Sequence, residues 1–256
     1  LRYDNSSRFG KFIHIYFDTV SGSITGAAMR SLILEKTRIT TQVDGERNYN
    51  IFYQLLAGST QEEMIQWGLV GGVSQFEYLN RVSSSSNPIS ADKDAADFEE
   101  TKQCLKRLGV GQQERSMLFA MTAAVLHLGN VQFETKTDEN ENEAAAVTEA
   151  SRPCLEKACQ LLGIKVADVE EAILTKSLVV NGKTIKKSQT VGLAADKRDA
   201  LAKMTYANIF LWLVQCINET LKENSVGTSV NRQVPAEYQT GFIGVLDNYG
   251  FECFET

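Results

Sequence analysis

The sequence predicts an α+β fold that is mostly helical, with a few sheet strands near its two ends, a helical body between them and a basic β-hairpin set into that body. Three observations predict it. Residues 11–18 are dense in β-branched and aromatic side chains, and residues 242–246 form a continuous apolar run. Apolar residues recur at helical spacing through the middle of the chain. Asn181-Gly182 sits between two short β-prone runs, the strongest local hairpin signal. The 256 residues, 43% hydrophobic and 23% charged, suffice for one or two domains with a real core.

Element by element, Lys11–Asp18 reads as a strand, Thr19–Gly22 as a turn and Ser23–Leu34 as a second strand, giving a hairpin. A helix is expected over 46–57, with Ile51, Phe52, Leu55 and Leu56 on its apolar side. Thr60-Gln61-Glu62-Glu63 carries a capping pattern for another. Residues 81–97, Ser-rich and polar, read as a surface loop. Helices follow at 95–108 and 112–128, the second with Met117, Leu118, Met121 and Val125 as a core stripe. Residues 134–149 are acidic and read as an exposed loop. Helices resume at 150–162 and 166–175. The hairpin occupies 177–190, with Lys176, Lys183, Lys186 and Lys187 on or beside it. A long helix runs from Asp196 to Leu221, burying Phe210, Leu213, Val214, Ile217 and Leu221. The apolar run 242–246 ends at Asp247 and has the character of a strand buried on both faces.

The net charge of −6 argues against nucleic acid as the main partner, because phosphate binding wants a basic surface. The five cysteines show no metal or redox spacing and read as reduced, mostly buried thiols of a cytosolic protein. No apolar run approaches the ~20 residues that span a bilayer, so no transmembrane segment is expected. Gly182-Lys183-Thr184 imitates the end of a phosphate-cradling loop. The required first glycine is Ser177 and the context is a hairpin, so it is rejected. His14 and His127 lack ligand neighbours at useful spacing and read as structural.

Two segments carry chemistry. Asp247, ending a strand before Asn248-Tyr249-Gly250-Phe251-Glu252, puts a carboxylate at the sheet edge where open α/β folds bind ligands. Taken locally, capping of the next turn is the commoner meaning of such an Asp. Gly250 permits close backbone approach to a phosphate, or simply makes the turn. Asn5-Ser6-Ser7-Arg8-Phe9-Gly10 offers hydroxyls for a metal or a water and a guanidinium fork for a carboxylate or phosphate. Local pattern alone leaves a plain Ser-rich loop open.

Together the segments resemble a known family. Asn5–Phe12 resembles switch I of the myosin motor, and Asp247–Glu252 its switch II. Between them, Leu34–Arg38, Gly45–Leu56, Leu126–Asn130 and Arg198–Lys203 are similar to further myosin head signatures, in the family's order and over essentially the whole chain. The resemblance implies a fragment of a P-loop NTPase: switch I and sheet strands at 1–36, the helical upper 50-kDa region at 37–240, and a sheet strand with switch II at 241–256. It implies part of an actin-based cytoskeletal motor that couples ATP hydrolysis to movement, with ATP and Mg²⁺ as cofactors.

The resemblance assigns roles residue by residue. Asn5, Ser6, Ser7, Arg8, Asp247 and Gly250 would bind the nucleotide. Ser7 and Asp247 would hold Mg²⁺, and Ser6 would work near the attacking water. The Gly250 N–H would sense the terminal phosphate, and Arg8 with Glu252 would form the bridge that closes the site. Lys176, Lys183, Lys186 and Lys187 would meet actin's acidic surface, though a merely solvated lysine face remains open. Implied partners are actin filaments, the rest of the myosin heavy chain and, in the full-length protein, light chains. The implied location is the cytoplasmic cytoskeleton, in a myosin complex.

Tyr3, Asn248 and Lys183 depart from the family's usual residues. The phosphate-cradling loop is expected before residue 1, and the lower actin-binding region, relay helix, converter and lever after residue 256. The isolated chain is therefore expected to hydrolyse ATP no faster than buffer. The alternative is a non-catalytic truncated head that acts as an actin or protein interaction module.

Overall fold

In a computed structural model, residues 8–18, 21–43, 46–80, 91–137, 143–180, 183–223 and 240–248 are described. They divide into two compact units. The first comprises Leu1–Glu35, Arg107–Val110 and Phe210–Thr256, and the second Lys36–Lys106 and Gly111–Ile209.

The first unit holds a three-stranded antiparallel sheet of β1 (Phe9–Asp18), β2 (Ile24–Leu34) and β7 (Thr240–Asp247), in the order β2-β1-β7. The expected β1–β2 hairpin is present. Asp18 holds the returning chain, its N–H donating to the Ser23 carbonyl at 2.9 Å and its carboxylate accepting from the Ser21 N–H at 2.7 Å. β2 is an edge strand, whose free N–H and C=O groups invite unwanted pairing. Asn218, from the C-terminal part of α7 (Val191–Glu223), covers part of that edge. Its side-chain amide accepts from the Met29 N–H at 2.7 Å and donates to the Met29 carbonyl at 2.9 Å.

β7 departs from the sequence expectation. Phe242, Ile243, Val245 and Leu246 are 43–60% exposed, so the strand is not buried on both faces. Its strand neighbour among the described residues is β1 alone. A continuous apolar run records what burial a strand is suited to; the coverage depends on which elements reach it.

The second unit is helical: α1 (Asn50–Gly58), α2 (Gln61–Trp67), α3 (Ala91–Arg107, its last residue in the first unit), α4 (Gln112–Gly129), α5 (Arg152–Leu162), α6 (Val166–Leu174) and the first part of α7. α1 starts at Asn50 rather than at 46. α2 starts where Thr60 and Glu63 satisfy each other's backbone N–H groups, as the capping pattern predicts. α3 starts at Ala91, inside the segment read as loop; 81–90 lie outside the described residues. α4 is the central helix. Leu118, Phe119 and everything from Thr122 to Gly129 are buried, as expected of a helix surrounded by others. Gly129 admits the Tyr78 ring, which a Cβ there would meet at 2.7 Å. The expected methionine stripe fails at Met117, which is 58% exposed; Leu118, the next residue round the helix, takes the buried side.

Residues 134–149 are not a loop but a hairpin, β3 (Phe133–Thr137) and β4 (Glu143–Val147), with 138–142 outside the described residues. Tertiary packing decides this. Ala145 and Val147 enter a cluster with Val131, Leu155, Cys159, Val169, Ile173 and Ala194, and the Ala145 N–H donates to the Gln189 carbonyl at 2.7 Å.

α7 begins five residues before the expected Asp196. Of its expected buried face only Val214 is fully buried; Phe210, Leu213, Ile217 and Leu221 are half-buried. By length and composition alone α7 is long and apolar enough to cross a membrane. Its polar side chains instead serve the two units: Arg198 and Asp199 in the second, Asn218 and Thr220 in the first, where Thr220 donates to the Leu108 carbonyl at 2.8 Å. Among the described cysteines only Cys159 is buried; Cys154 and Cys216 are half-buried and Cys104 is exposed, and none of them is in a disulfide. The expectation of mostly buried thiols is corrected, and Cys253 lies outside the described residues.

Candidate functional site

The antiparallel pairing of β1 with β7 sets the geometry. Lys11 stands opposite Asp247 and Asp18 opposite Thr240, so the start of β1 and the end of β7 share one sheet edge. Residues more than two hundred positions apart meet there. Lys11 Nζ lies 3.0 Å from Asp247 Oδ2. Arg8, just before β1, is about four-fifths buried and lies 3.6 Å from the Glu35 carboxylate beyond β2. The Glu35 N–H also donates to the Arg8 carbonyl at 3.0 Å, fixing the two backbones. Gly10 is closely packed: a Cβ there would stand 3.0 Å from Ile33 Cγ2 and 3.1 Å from Asn248 Oδ1. The Asn248 amide therefore lies close against the β1 backbone at Gly10.

Of the sequence-predicted site residues, Arg8 and Asp247 are brought to this edge. Asn5, Ser6, Ser7, Gly250 and Glu252 lie outside the described residues, as does Tyr3. Lys11 and Glu35 are site neighbours to which sequence reasoning gave no role. Both fall inside quoted signatures, and only the strand register shows what they face.

The basic hairpin consists of β5 (Thr175–Val180) and β6 (Lys183–Ser188). Its lysines are not equivalent. Lys186 is ion-paired with Glu171 of α6. Lys176 and Lys187 are exposed and directly opposite each other, an arrangement of like charges that weakens a strand pair. Lys183 faces Val180 in the register, and its side chain lies outside the described residues. Lys197 anchors the hairpin's base, donating to the Ala172 carbonyl at 2.8 Å and the Thr175 carbonyl at 2.6 Å. The cleft beside it, about 430 Å³, is lined by Asp168, Glu171, Lys176 and Lys197.

The remaining signatures hold structure. Asn48 donates to the Ile39 and Tyr78 carbonyls at 2.9 and 3.0 Å. Arg38 donates to the Arg47 carbonyl at 2.6 Å and pairs with Glu46. Arg47 pairs with Asp94 at 2.7 Å and lies 3.8 Å from the centre of the Tyr53 ring. The Tyr78 hydroxyl donates to Asp199 at 2.6 Å, and burial raises its pKa. Arg198 pairs with Asp199 and donates to the Val131 carbonyl. His127 is structural, as expected: it is buried with Nε2 2.8 Å from the Trp67 carbonyl, and burial lowers its pKa. His14 packs among Phe12, Tyr16 and Phe242. No cluster of three or more His, Cys, Asp or Glu suited to a metal occurs among the described residues.

The profile of the family described as "Myosin head (motor domain)" matches residues 1–256. The chain is 38% identical over 254 residues to mouse "Unconventional myosin-Vb", covering 99% of the chain and 13% of that protein. It is 37% identical over 255 residues to "Myosin-51" of Schizosaccharomyces pombe, covering all of the chain and 16% of that protein. With Arabidopsis thaliana "Myosin-15" it is 37% identical over 256 residues, covering all of the chain and 15% of that protein. The chain thus spans about one-seventh of the length of these relatives.

Proposed function

As the chain belongs to the myosin head (motor domain) family, we propose that it supplies the switch region and upper 50-kDa part of an actin-based cytoskeletal motor of P-loop NTPase fold, coupling ATP hydrolysis to movement. The observation that supports this is the β1–β7 register, which sets Lys11, three residues after Arg8, opposite Asp247. Ligands of open α/β sheets sit at the carboxyl ends of strands.

The residues fit Mg²⁺. The cation prefers oxygen donors and keeps several waters, and Asp247 offers a carboxylate that already meets a cationic group, the Lys11 ammonium. Asp247 and the Ser7 hydroxyl would hold the metal, which when bound to ATP neutralises charge on the phosphates. Asn5 and Ser6 would line the nucleotide, with Ser6 near the attacking water, and the Gly250 N–H would donate to the terminal phosphate. Arg8 is the arm of a latch. Most of its surface is already withdrawn from water, so pairing with Glu252 would form a charge-assisted, bidentate contact in a dry setting, where such contacts are strong. The latch would close the site and exclude bulk water.

The hairpin serves as an actin contact, in the cytoplasmic cytoskeleton and alongside the rest of the heavy chain. Opposed exposed lysines cost the hairpin stability in isolation, and an acidic partner removes that cost. The latch is tested in a complete heavy chain carrying this segment. Arg8→Glu abolishes ATP hydrolysis, and adding Glu252→Arg restores part of it. A double variant no better than the single one removes direct pairing, and with it the reading of Arg8 as a latch.

A further inference from the structure

Asp247 ends β7 already engaged. Its register partner Lys11 lies on the neighbouring strand, and side chains opposite one another on an antiparallel pair project from the same face. The ammonium stands 3.0 Å from Oδ2. It also lies 5.6 Å from the centre of the Phe9 ring, which packs on Phe210 at a centroid distance of 5.1 Å. An aromatic face attracts a cation, so Lys11 is drawn to this place by two groups. The pair is half-open, with side-chain exposures of 29% for Lys11 and 44% for Asp247, so the lysine can leave into water without breaking the sheet.

We propose that Lys11 is the built-in counter-ion of Asp247: it holds the carboxylate where a divalent cation would meet it, and must swing aside for that cation to bind. The inference rests on the reading of Asp247 as a metal ligand. Two positive charges cannot share one carboxylate without repelling each other. Metal alone therefore binds weakly, and binding becomes favourable when the metal arrives with compensating negative charge, as it does on a polyphosphate. Lys11 thus sets a requirement for metal and phosphate together.

The test uses Mn²⁺ as the probe. Free Mn²⁺ is read by electron paramagnetic resonance at low ionic strength while the 256-residue chain is titrated, with circular dichroism checking the fold of each variant. Lys11→Met and Lys11→Gln should each bind Mn²⁺ about three- to fivefold more tightly than the parent, the scale set by a partly exposed ion pair. Lys222→Met, which removes an equal charge from α7, should leave affinity unchanged. Asp247→Asn should weaken binding, and in that background Lys11→Met should gain nothing. Variants of Lys11 that bind no better than the parent, including no binding by any of them, overturn the counter-ion role. A gain in the Asp247→Asn background also overturns it. If Asp247→Asn alone binds Mn²⁺ as well as the parent does, the metal-ligand reading of Asp247 is what fails.

Discussion

Reversing one charge on the basic hairpin should make the protein more stable and its binding to an acidic filament weaker. Lys187 stands opposite Lys176 in the β5–β6 register, and both side chains are exposed. Like charges in that position are unfavourable by about 0.2–1 kcal/mol, and opposite charges favourable by a similar amount. Lys187→Glu converts the first into the second, a gain of about 0.5–1.5 kcal/mol at low salt. For a unit of this size, each kcal/mol moves Tm by about 2–4 °C, so Tm should rise by about 1–6 °C. The gain should shrink as salt approaches 0.15 M, where the screening length is about 8 Å. Filament binding moves the other way. Reversing a rim charge costs about 1–2 kcal/mol, or roughly 5–30-fold in Kd. Melting and co-sedimentation with filamentous actin, at two salt concentrations each, read both quantities. Unchanged co-sedimentation removes the hairpin from the contact surface, and a lower Tm refutes the opposed-lysine argument. Lys186→Glu is the internal comparison, since that lysine already pairs with Glu171 and its loss should destabilise.

Two further outcomes follow from the second unit. Asp94 and Arg47 form a pair with side-chain exposures of only 9% and 15%. Asp94→Ala strands the guanidinium and should cost about 2–3 kcal/mol, below the full 3–5 kcal/mol for a buried pair because the Tyr53 ring still receives it. Denaturant unfolding should show the loss, and an Arg47→Met, Asp94→Leu double variant should recover much of it; a double variant as unstable as Asp94→Ala argues against a stranded charge. His127 is held neutral by burial, its pKa lowered from 6.5. The unfolded chain therefore binds more protons just below pH 6.5, and this contribution to stability is complete above 6.5 and fades as pH falls toward the lowered value. Tm measured from pH 8 to 5 should fall more steeply in the parent than in His127→Gln, and parallel curves would refute it.

What the sequence reveals depends on how locally each feature is decided. The Thr60–Glu63 cap involves residues three apart and is readable from side-chain chemistry alone, as its two hydrogen bonds of 2.9 and 3.2 Å confirm. The β5–β6 hairpin is announced by Asn181-Gly182. The β3–β4 hairpin is not readable, because Glu143-Ala144-Ala145-Ala146 carries no strand preference. It forms because Ala145 and Val147 are buried against α5 and α6. The candidate site divides in the same way. The types and order of its residues lie in the sequence, but Lys11 facing Asp247 and Glu35 facing Arg8 are facts of register between distant segments.

The apolar run in β7 and the lysines of the hairpin obey one logic. Each is a local arrangement less favourable by itself than its composition suggests. Phe242, Ile243, Val245 and Leu246 leave 43–60% of their surface to water, which forgoes hydrophobic stabilisation of order 1 kcal/mol for each half-exposed side chain. Lys176 and Lys187 repel each other across a strand pair. A sequence selected only for the stability of these elements would place polar residues on the exposed strand and an acidic residue opposite Lys176. Three residues of the other signatures show the opposite character, with Asn48, Arg38 and Asp199 each engaged by two or more partners. Strain against local stability therefore concentrates at the sheet edge strand and the hairpin, where the motor reading puts contact with nucleotide machinery and filament.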